Sequence, residues 1–324
     1  MSNDTSSCYL TPKDFEQAFG EKLNRYVCGR IEDYRFRYRP LKQEERDSWL
    51  RQIIDVLIHK RAVPAGQRRR AAWDAGWGEN VTRFNRKAIF RSLIPGYFGK
   101  YPVVRWLQDF ICPLNSRFEY HSLAVIQDWL FDLYLRDADT VYEFGCGTGH
   151  NLFRVRDVNP NAMLYGLDWS RSSQLLLGNI YSSGMDTRMI GRRFDMFHPD
   201  RRVRLKSGAC IYTVASLEQL GEQFVPFLDF LLNQPVQLCI HIEPIGELLD
   251  PNNLLDNLSL EYFKMRNYLS GFLNHLRRLE TRGYVKIHRA QRTFTGSLFI
   301  EGYSAVIWSP CRAAKRGRNL TCTS

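Results

Sequence analysis

The apolar positions change their rhythm once along the chain. Between about 12 and 135 they recur every three or four residues: Trp49, Leu50, Ile53, Leu57 and Ile58 share one helical face, as do Leu123, Ile126, Leu130 and Leu133. No strand alternation stands out there. The stretches PAGQRRRAAWDAGWGEN and IPGYFGKYP break this region into helical pieces joined by aromatic loops. From Asp139 onward, short apolar runs alternate with helical segments, the pattern of a parallel sheet with crossover helices. Strands are predicted at 140–144, 162–167, about 187–194, 209–214, 236–242, 284–289 and 298–307, the last two close enough to pair as a hairpin. Leu258, Tyr262, Met265, Leu269, Phe272, Leu276 and Leu279, with Gly283 as a stop, predict one long amphipathic helix on the sheet.

Composition narrows the class. With 44% apolar and 24% charged residues, the chain of 324 residues can bury a substantial core, which excludes disorder throughout. Residues 1–11 and the basic tail at 309–324 lack apolar periodicity and are expected to be disordered and flexible. No apolar run reaches membrane-spanning length and no leader pattern opens the chain, so a soluble, cytoplasmic protein is expected. The eight cysteines are scattered without a C-x-x-C pair, and neither a disulfide framework nor a metal site is expected. The net charge of +11 is uneven: residues 1–115 hold 21 Lys/Arg against 13 Asp/Glu, and 116–308 hold 20 against 21. A basic extension can steer an anionic partner, nucleic acid included, or serve only as a solvated face.

The chemistry concentrates in V-Y-E-F-G-C-G-T-G-H-N at 141–151. A strand runs straight into Gly145, Gly147 and Gly149, and glycine is needed where a ligand approaches backbone or the chain turns sharply. Asp168 closes the second strand, where a carboxylate can accept both hydroxyls of a ribose, and Asp195 closes the third. A dinucleotide fingerprint, G-x-G-x-x-G, needs glycine where His150 stands. Glu143, two residues before the first glycine, would repel a pyrophosphate and suits a ligand bearing an ammonium group.

E-F-G-C-G-T-G, then L-D-W-S, then F-D-M-F, resemble the class I S-adenosylmethionine-dependent methyltransferase superfamily over about 139–308. The resemblance implies a Rossmann-like, doubly wound, mostly parallel seven-stranded α/β sheet with a C-terminal antiparallel hairpin. The cofactor-binding domain is then 139–308, preceded by a helical N-terminal cap at 12–138 that binds substrate. S-adenosylmethionine is the implied cofactor and S-adenosylhomocysteine the product. Glu143, Gly145, Cys146, Gly147 and Gly149 then surround the methionine half, Asp168 holds the ribose, and Trp169, Asp195 and Met196 meet the adenine. Ala215, in T-V-A-S-L-E-Q-L, belongs to the loop facing the methyl group. The family's usual first acid is Asp, so Glu143 departs from it.

Methyl transfer from a sulfonium requires a held acceptor and, for a hydroxyl of high pKa, a base. H-I-E-P at 241–244 places His241 and Glu243 on one side of the fifth strand, with His241 as candidate base and Glu243 as its partner or a substrate ligand. Glu218, in S-L-E-Q-L, is a third catalytic candidate. Tyr97 and Tyr101 on the aromatic loop and His150 after the glycines are candidate substrate contacts; His198 is structural or on the adenine side. The expected activity is O-directed transfer to a small-molecule or glycan acceptor, anionic acceptors included. A nucleic-acid methyltransferase using the basic extension and a non-catalytic cofactor-binding scaffold are the alternatives.

Overall fold

The computed structural model describes residues 7–311. Its first half runs β1 (Cys8–Leu10), α1 (Pro12–Phe19), α2 (Arg25–Tyr34), β2 (Phe36–Pro40), α3 (Gln43–Ile58), α4 (Arg70–Arg86), β3 (Val104–Trp106), β4 (Asp109–Pro113) and α5 (Phe118–Tyr134). Helix starts follow local capping chemistry: the Asn24 side chain accepts from Val27 N at 3.0 Å ahead of α2, and Thr11 with Asp14 boxes the start of α1.

The cap is not the wholly helical unit that the periodicity predicts. β1, β2, β4 and β3 form an antiparallel sheet in that order, and a strand from the second half completes its edge. These strands are three to five residues long, too short for alternation to show, yet they bury Phe36, Val104, Trp106 and Phe110. β1 pairs with β2, so residues 8–10 are ordered rather than disordered; residues 1–6 and 312–324, which include most of the basic tail, lie outside the described residues. The supposed break at PAGQRRRAAWDAGWGEN is a helix from Arg70 onward. Gly76 and Gly78 each cost about 1 kcal/mol of helix propensity, which docking of α4 on the second half offsets.

The second half runs β5 (Thr140–Phe144), α6 (Leu152–Val158), β6 (Met163–Asp168), α7 (Arg171–Ser182), β7 (Met189–Arg193), β8 (Cys210–Val214), α8 (Val225–Leu232), β9 (Leu238–Glu243), α9 (Leu254–Arg266), α10 (Phe272–Thr281), β10 (Val285–Gln291), β11 (Thr295–Gly296) and β12 (Ser304–Pro310). The main sheet has the order β10-β12-β9-β8-β5-β6-β7; β9 through β7 are parallel, and β12 lies antiparallel between β9 and β10. Alternation sends Val141 and Leu164 into one apolar layer with α5, α6 and α7, and Tyr142, Phe144, Tyr165 and Leu167 into the other with α8 and α10. Two predicted elements divide. The long helix breaks at Asn267, whose φ of 51° caps α9 before α10 begins. The strand predicted at 298–307 starts at Ser304, because Leu298 and Phe299 turn aside to pack with Ile53 of α3 and Leu255 of α9. β11, Thr295–Gly296, pairs with β3 and so joins the small sheet to the second half. Among the described residues no helix is long and apolar enough to cross a membrane.

Candidate active site

The turn after β5 is drawn onto the end of β6. Gly145 N and Cys146 N donate to Leu167 O at 2.7 and 3.1 Å, and Gly147 N donates to the Asp168 carboxylate at 2.9 Å. Left-handed backbone makes this possible: φ is 73° at Gly145 and 52° at Gly147. Neighbours also exclude a side chain, since a Cβ on Gly145 would sit 2.4 Å from Ser216 Cβ, and one on Gly147 2.9 Å from the Trp77 ring. Asp168 accepts a second bond from Ser170 N at 2.8 Å, and burial pushes its carboxyl up to about 6 against the pull of these donors.

Around this turn lies a cleft at the carboxyl ends of the parallel strands, where open α/β sheets bind ligands. It brings together Gly145, Cys146, Gly147, Asp168, Trp169, Met196 and Ala215 with Tyr97 and His150. Trp169 stacks on Phe197 with ring centroids 5.5 Å apart, giving the cleft a flat aromatic wall.

Helix α4 supplies a wall that sequence reasoning missed. Trp73 and Trp77, one helical turn apart, stack at 5.3 Å and both line the cleft. Trp73 Nε1 donates to Gln219 Oε1 at 3.3 Å, and Asp74 accepts from Ser170 Oγ at 2.6 Å and Ser172 N at 2.9 Å. Arg70 pairs with Asp195 and lies over the Trp169 ring at 4.7 Å. The signal was R-A-A-W-D-A-G-W-G, hidden by its two glycines.

Several predicted site residues stand elsewhere. Glu143 is fully buried outside the cleft lining, accepting from Asn151 Nδ2 at 2.8 Å and Tyr212 OH at 3.0 Å; burial pushes it up to about 8. Asn151, which lines the cleft, stands in front of it. Gly149 serves packing, since a Cβ there would meet Leu177 of α7 at 2.8 Å. Asp195 lies behind the lining, bound to Arg70 and accepting from Phe197 N at 2.9 Å. Tyr101 packs edge-on to Phe299 at 5.5 Å and lines a separate groove. His198 is exposed, 3.5 Å from the Asp195 carboxylate.

The catalytic assignments need the largest correction. Trp308 Nε1 donates to His241 Nε2 at 3.0 Å, which leaves the ring proton on Nδ1, facing Thr213 Oγ1 at 2.9 Å. Both nitrogens are engaged within the sheet's apolar layer, and burial pushes the imidazole down to about 3. His241 is therefore no general base. Glu243 accepts backbone N–H bonds from Ser216, Leu217 and Glu218 at 3.1, 3.0 and 3.1 Å, anchoring the loop after β8; burial still pushes it up to about 7. Glu218 accepts from Gln219 Nε2 at 2.9 Å and is pushed up to about 8, first by burial and then by Glu243.

No protein-family model and no curated protein matches the chain. Among solved structures it is similar to an O-methyltransferase from neocarzinostatin biosynthesis in complex with S-adenosylmethionine, at 14% identity and TM-score 0.40, over 60% of this chain and 57% of that one. It is also similar to the pyocyanin biosynthetic protein PhzM, at 15% identity and TM-score 0.41, over 60% of this chain and 59% of that one. Human N-acetylserotonin methyltransferase, in complex with S-adenosylmethionine, matches at 13% identity and TM-score 0.40, over 60% of this chain and 58% of that one. The matched region thus spans less than two thirds of each of these chains.

Proposed function

We propose that this protein is a cytoplasmic class I S-adenosylmethionine-dependent methyltransferase acting on a small-molecule acceptor, with 12–138 as its cap and 139–308 as its cofactor-binding unit. The observation that carries this is the tie between the Asp168 carboxylate and the backbone of Gly147, in a cleft walled by Trp169, Phe197, Trp73 and Trp77. Asp168 reaches the cleft with lone pairs left for ribose hydroxyls, the aromatic wall suits a purine ring, and Asn151 backed by Glu143 suits an amino-acid end. S-adenosylmethionine held there would supply an electrophilic methyl group on a sulfonium, whose sulfur would keep the bonding electrons when an acceptor lone pair takes the methyl.

The protein's own part is enclosure and alignment. α4 closes over the glycine turn through Asp74 and Arg70, and Glu243 holds the loop carrying Ala215 and Ser216 against it. A hydroxyl acceptor of high pKa would need a base, and the engaged imidazole of His241 does not supply one. The nucleic-acid alternative relies on the basic extension, and the cleft adds no Lys or Arg to it among the described residues. Calorimetric titration with S-adenosylmethionine, S-adenosylhomocysteine and NAD tests the reading. The first two should bind and NAD should not; binding of NAD alone would overturn it in favour of hydride transfer.

A further inference from the structure

We propose that His150 presents Nε2–H to the methyl acceptor, so that the cleft selects a flat apolar molecule bearing a carbonyl or carboxylate oxygen. The proposal rests on the methyl-transfer reading above and adds the chemistry by which the acceptor is recognised.

It starts from one atom. Among the described residues that line the cleft, His150 Nε2 is the one buried side-chain nitrogen or oxygen without a hydrogen-bond partner. The residue is 5% exposed. A buried polar atom left unpaired is costly, and such orphans are rare unless a ligand or water satisfies them.

The imidazole is fixed in place by its neighbours. Nδ1 lies 2.9 Å from Thr148 Oγ1, the Phe98 ring stands edge-on with centroids 6.3 Å apart, and the Tyr120 ring is tilted at 6.1 Å. Phe98 packs in turn on Tyr97 at 4.6 Å, and Tyr97 lines the cleft with His150. The wall around His150 is therefore built of rings from the cap, which suits a flat apolar ligand. Asn151, the next residue, is backed by Glu143 and serves the cofactor's amino-acid end in the reading above, whereas His150 packs on the cap.

Counting hydrogens assigns the ring proton. Thr148 is fully buried, and His150 Nδ1 is the one partner of its hydroxyl among the described residues. Were Nδ1 the protonated nitrogen, the Thr148 hydroxyl would accept from it and its own O–H would have nothing to donate to. With the Thr148 hydroxyl donating to Nδ1, both groups are used and the imidazole hydrogen sits on Nε2. The ring takes no second proton near neutral pH, since burial and then the Arg154 guanidinium push it down to about 3.

An uncharged N–H in an aromatic wall selects by what it leaves unpaired. A carbonyl or carboxylate oxygen completes the bond. A hydrocarbon of the same shape leaves Nε2–H buried and unsatisfied, and a cationic donor meets it hydrogen to hydrogen.

The test is calorimetric titration of the full chain, saturated with S-adenosylhomocysteine, with acetophenone, α-methylstyrene and benzamidine, flat molecules of nearly one shape. Acetophenone should bind about tenfold tighter than either of the others, or more. His150→Phe should abolish that preference, and His150→Gln, which keeps an N–H donor, should retain part of it. Nitrogen-15 spectra of the histidine rings give a second readout: the signal lost in His150→Gln should show the Nε2–H form in wild type, and the Nδ1–H form would overturn the proposal. Equal binding of acetophenone and α-methylstyrene would mean that water alone serves Nε2, and it overturns the proposal too. So do tighter binding of benzamidine, no binding of acetophenone, or a preference that survives in His150→Phe. If that surviving preference came with about tenfold weaker S-adenosylhomocysteine binding, Nε2–H would belong to the cofactor's own carboxylate. The wild-type ligand series decides where a variant fails to fold. Failure of S-adenosylhomocysteine to bind the wild type strikes the methyl-transfer reading instead, and the same molecules titrated without it then test His150 by itself.

Discussion

Trp308 and His241 face each other across paired strands, the indole N–H donating to Nε2 at 3.0 Å, so that a histidine at the carboxyl end of a parallel strand is part of the sheet and not of the chemistry. His241→Asn should cost about 2–4 kcal/mol of stability, from two buried hydrogen bonds and the space left behind, while S-adenosylhomocysteine affinity stays within about threefold. The pH sign follows from the folded imidazole being pushed down to about 3. The unfolded chain takes up the proton first, so stability present above about pH 6.5 is lost as pH falls toward 3, by up to about 1.4 kcal/mol per unit. Urea unfolding at pH 7.5 and 5 should show a larger loss for wild type than for His241→Asn. Equal losses would mean that the ring takes up protons in the folded state.

At Gly147 two constraints coincide, a φ of 52° and the Trp77 ring 2.9 Å from any Cβ. Gly147→Ala should lower stability by about 1–3 kcal/mol and weaken S-adenosylhomocysteine binding at least tenfold. Adding Trp77→Ala should recover the steric part of the stability loss and leave the backbone part. Thermal unfolding of the two single variants and the double variant measures the coupling, and strict additivity would show that α4 does not press on the turn.

The glycine turn and its acid were legible because they are local: a strand, three glycines in five residues and an acid ending the next strand each leave their mark within a short window. What stayed hidden depends on distant partners. Nothing near His241 announces Trp308, 67 residues on, and nothing near Glu143 announces Tyr212. The sheet of the cap escaped for a different reason, since strands as short as β3 and β11 hold no more than one or two alternations. Trp73 and Trp77 were visible as a one-turn pair, but Gly76 and Gly78 outweighed them in a reading that weighs propensity alone; the docking of α4 on Ser170 and Asp195 reverses the balance.

Asp74 joins α4 to the first turn of α7 through Ser170 Oγ and Ser172 N, and Arg70 joins it to Asp195. Both links lie where α4 covers the cleft, so breaking them should act on ligand residence more than on the fold. Asp74→Ala should weaken S-adenosylhomocysteine binding about three- to tenfold, mostly through faster dissociation. Arg70→Ala should have a smaller effect, because the pair is partly exposed and such pairs contribute about 1 kcal/mol or less. Stopped-flow displacement by excess ligand measures both rates. Unchanged dissociation in both variants would show that α4 is not part of the enclosure.

Asp168 already accepts two backbone N–H bonds, and its place in the cleft leaves its remaining lone pairs for a ligand's hydroxyls. Only the ionised carboxylate can accept from both hydroxyls of a ribose, and burial has pushed this group up to about 6. Affinity for S-adenosylhomocysteine should therefore be full above that value and fall as pH drops below it, approaching tenfold per unit for this group alone. Asp168→Asn keeps the shape but has an amide donor in place of one acceptor oxygen, and it should bind at least tenfold more weakly at pH 8. Other acids titrate in the same range, Glu143 among them at about 8, so the informative quantity is the ratio of wild-type to variant affinity. That ratio should be largest at pH 8 and shrink steadily toward pH 5, where the wild-type carboxyl is itself protonated. A ratio that stays constant from pH 8 to 5 would place the ligand's hydroxyls on some other group and remove Asp168 from the cofactor's recognition.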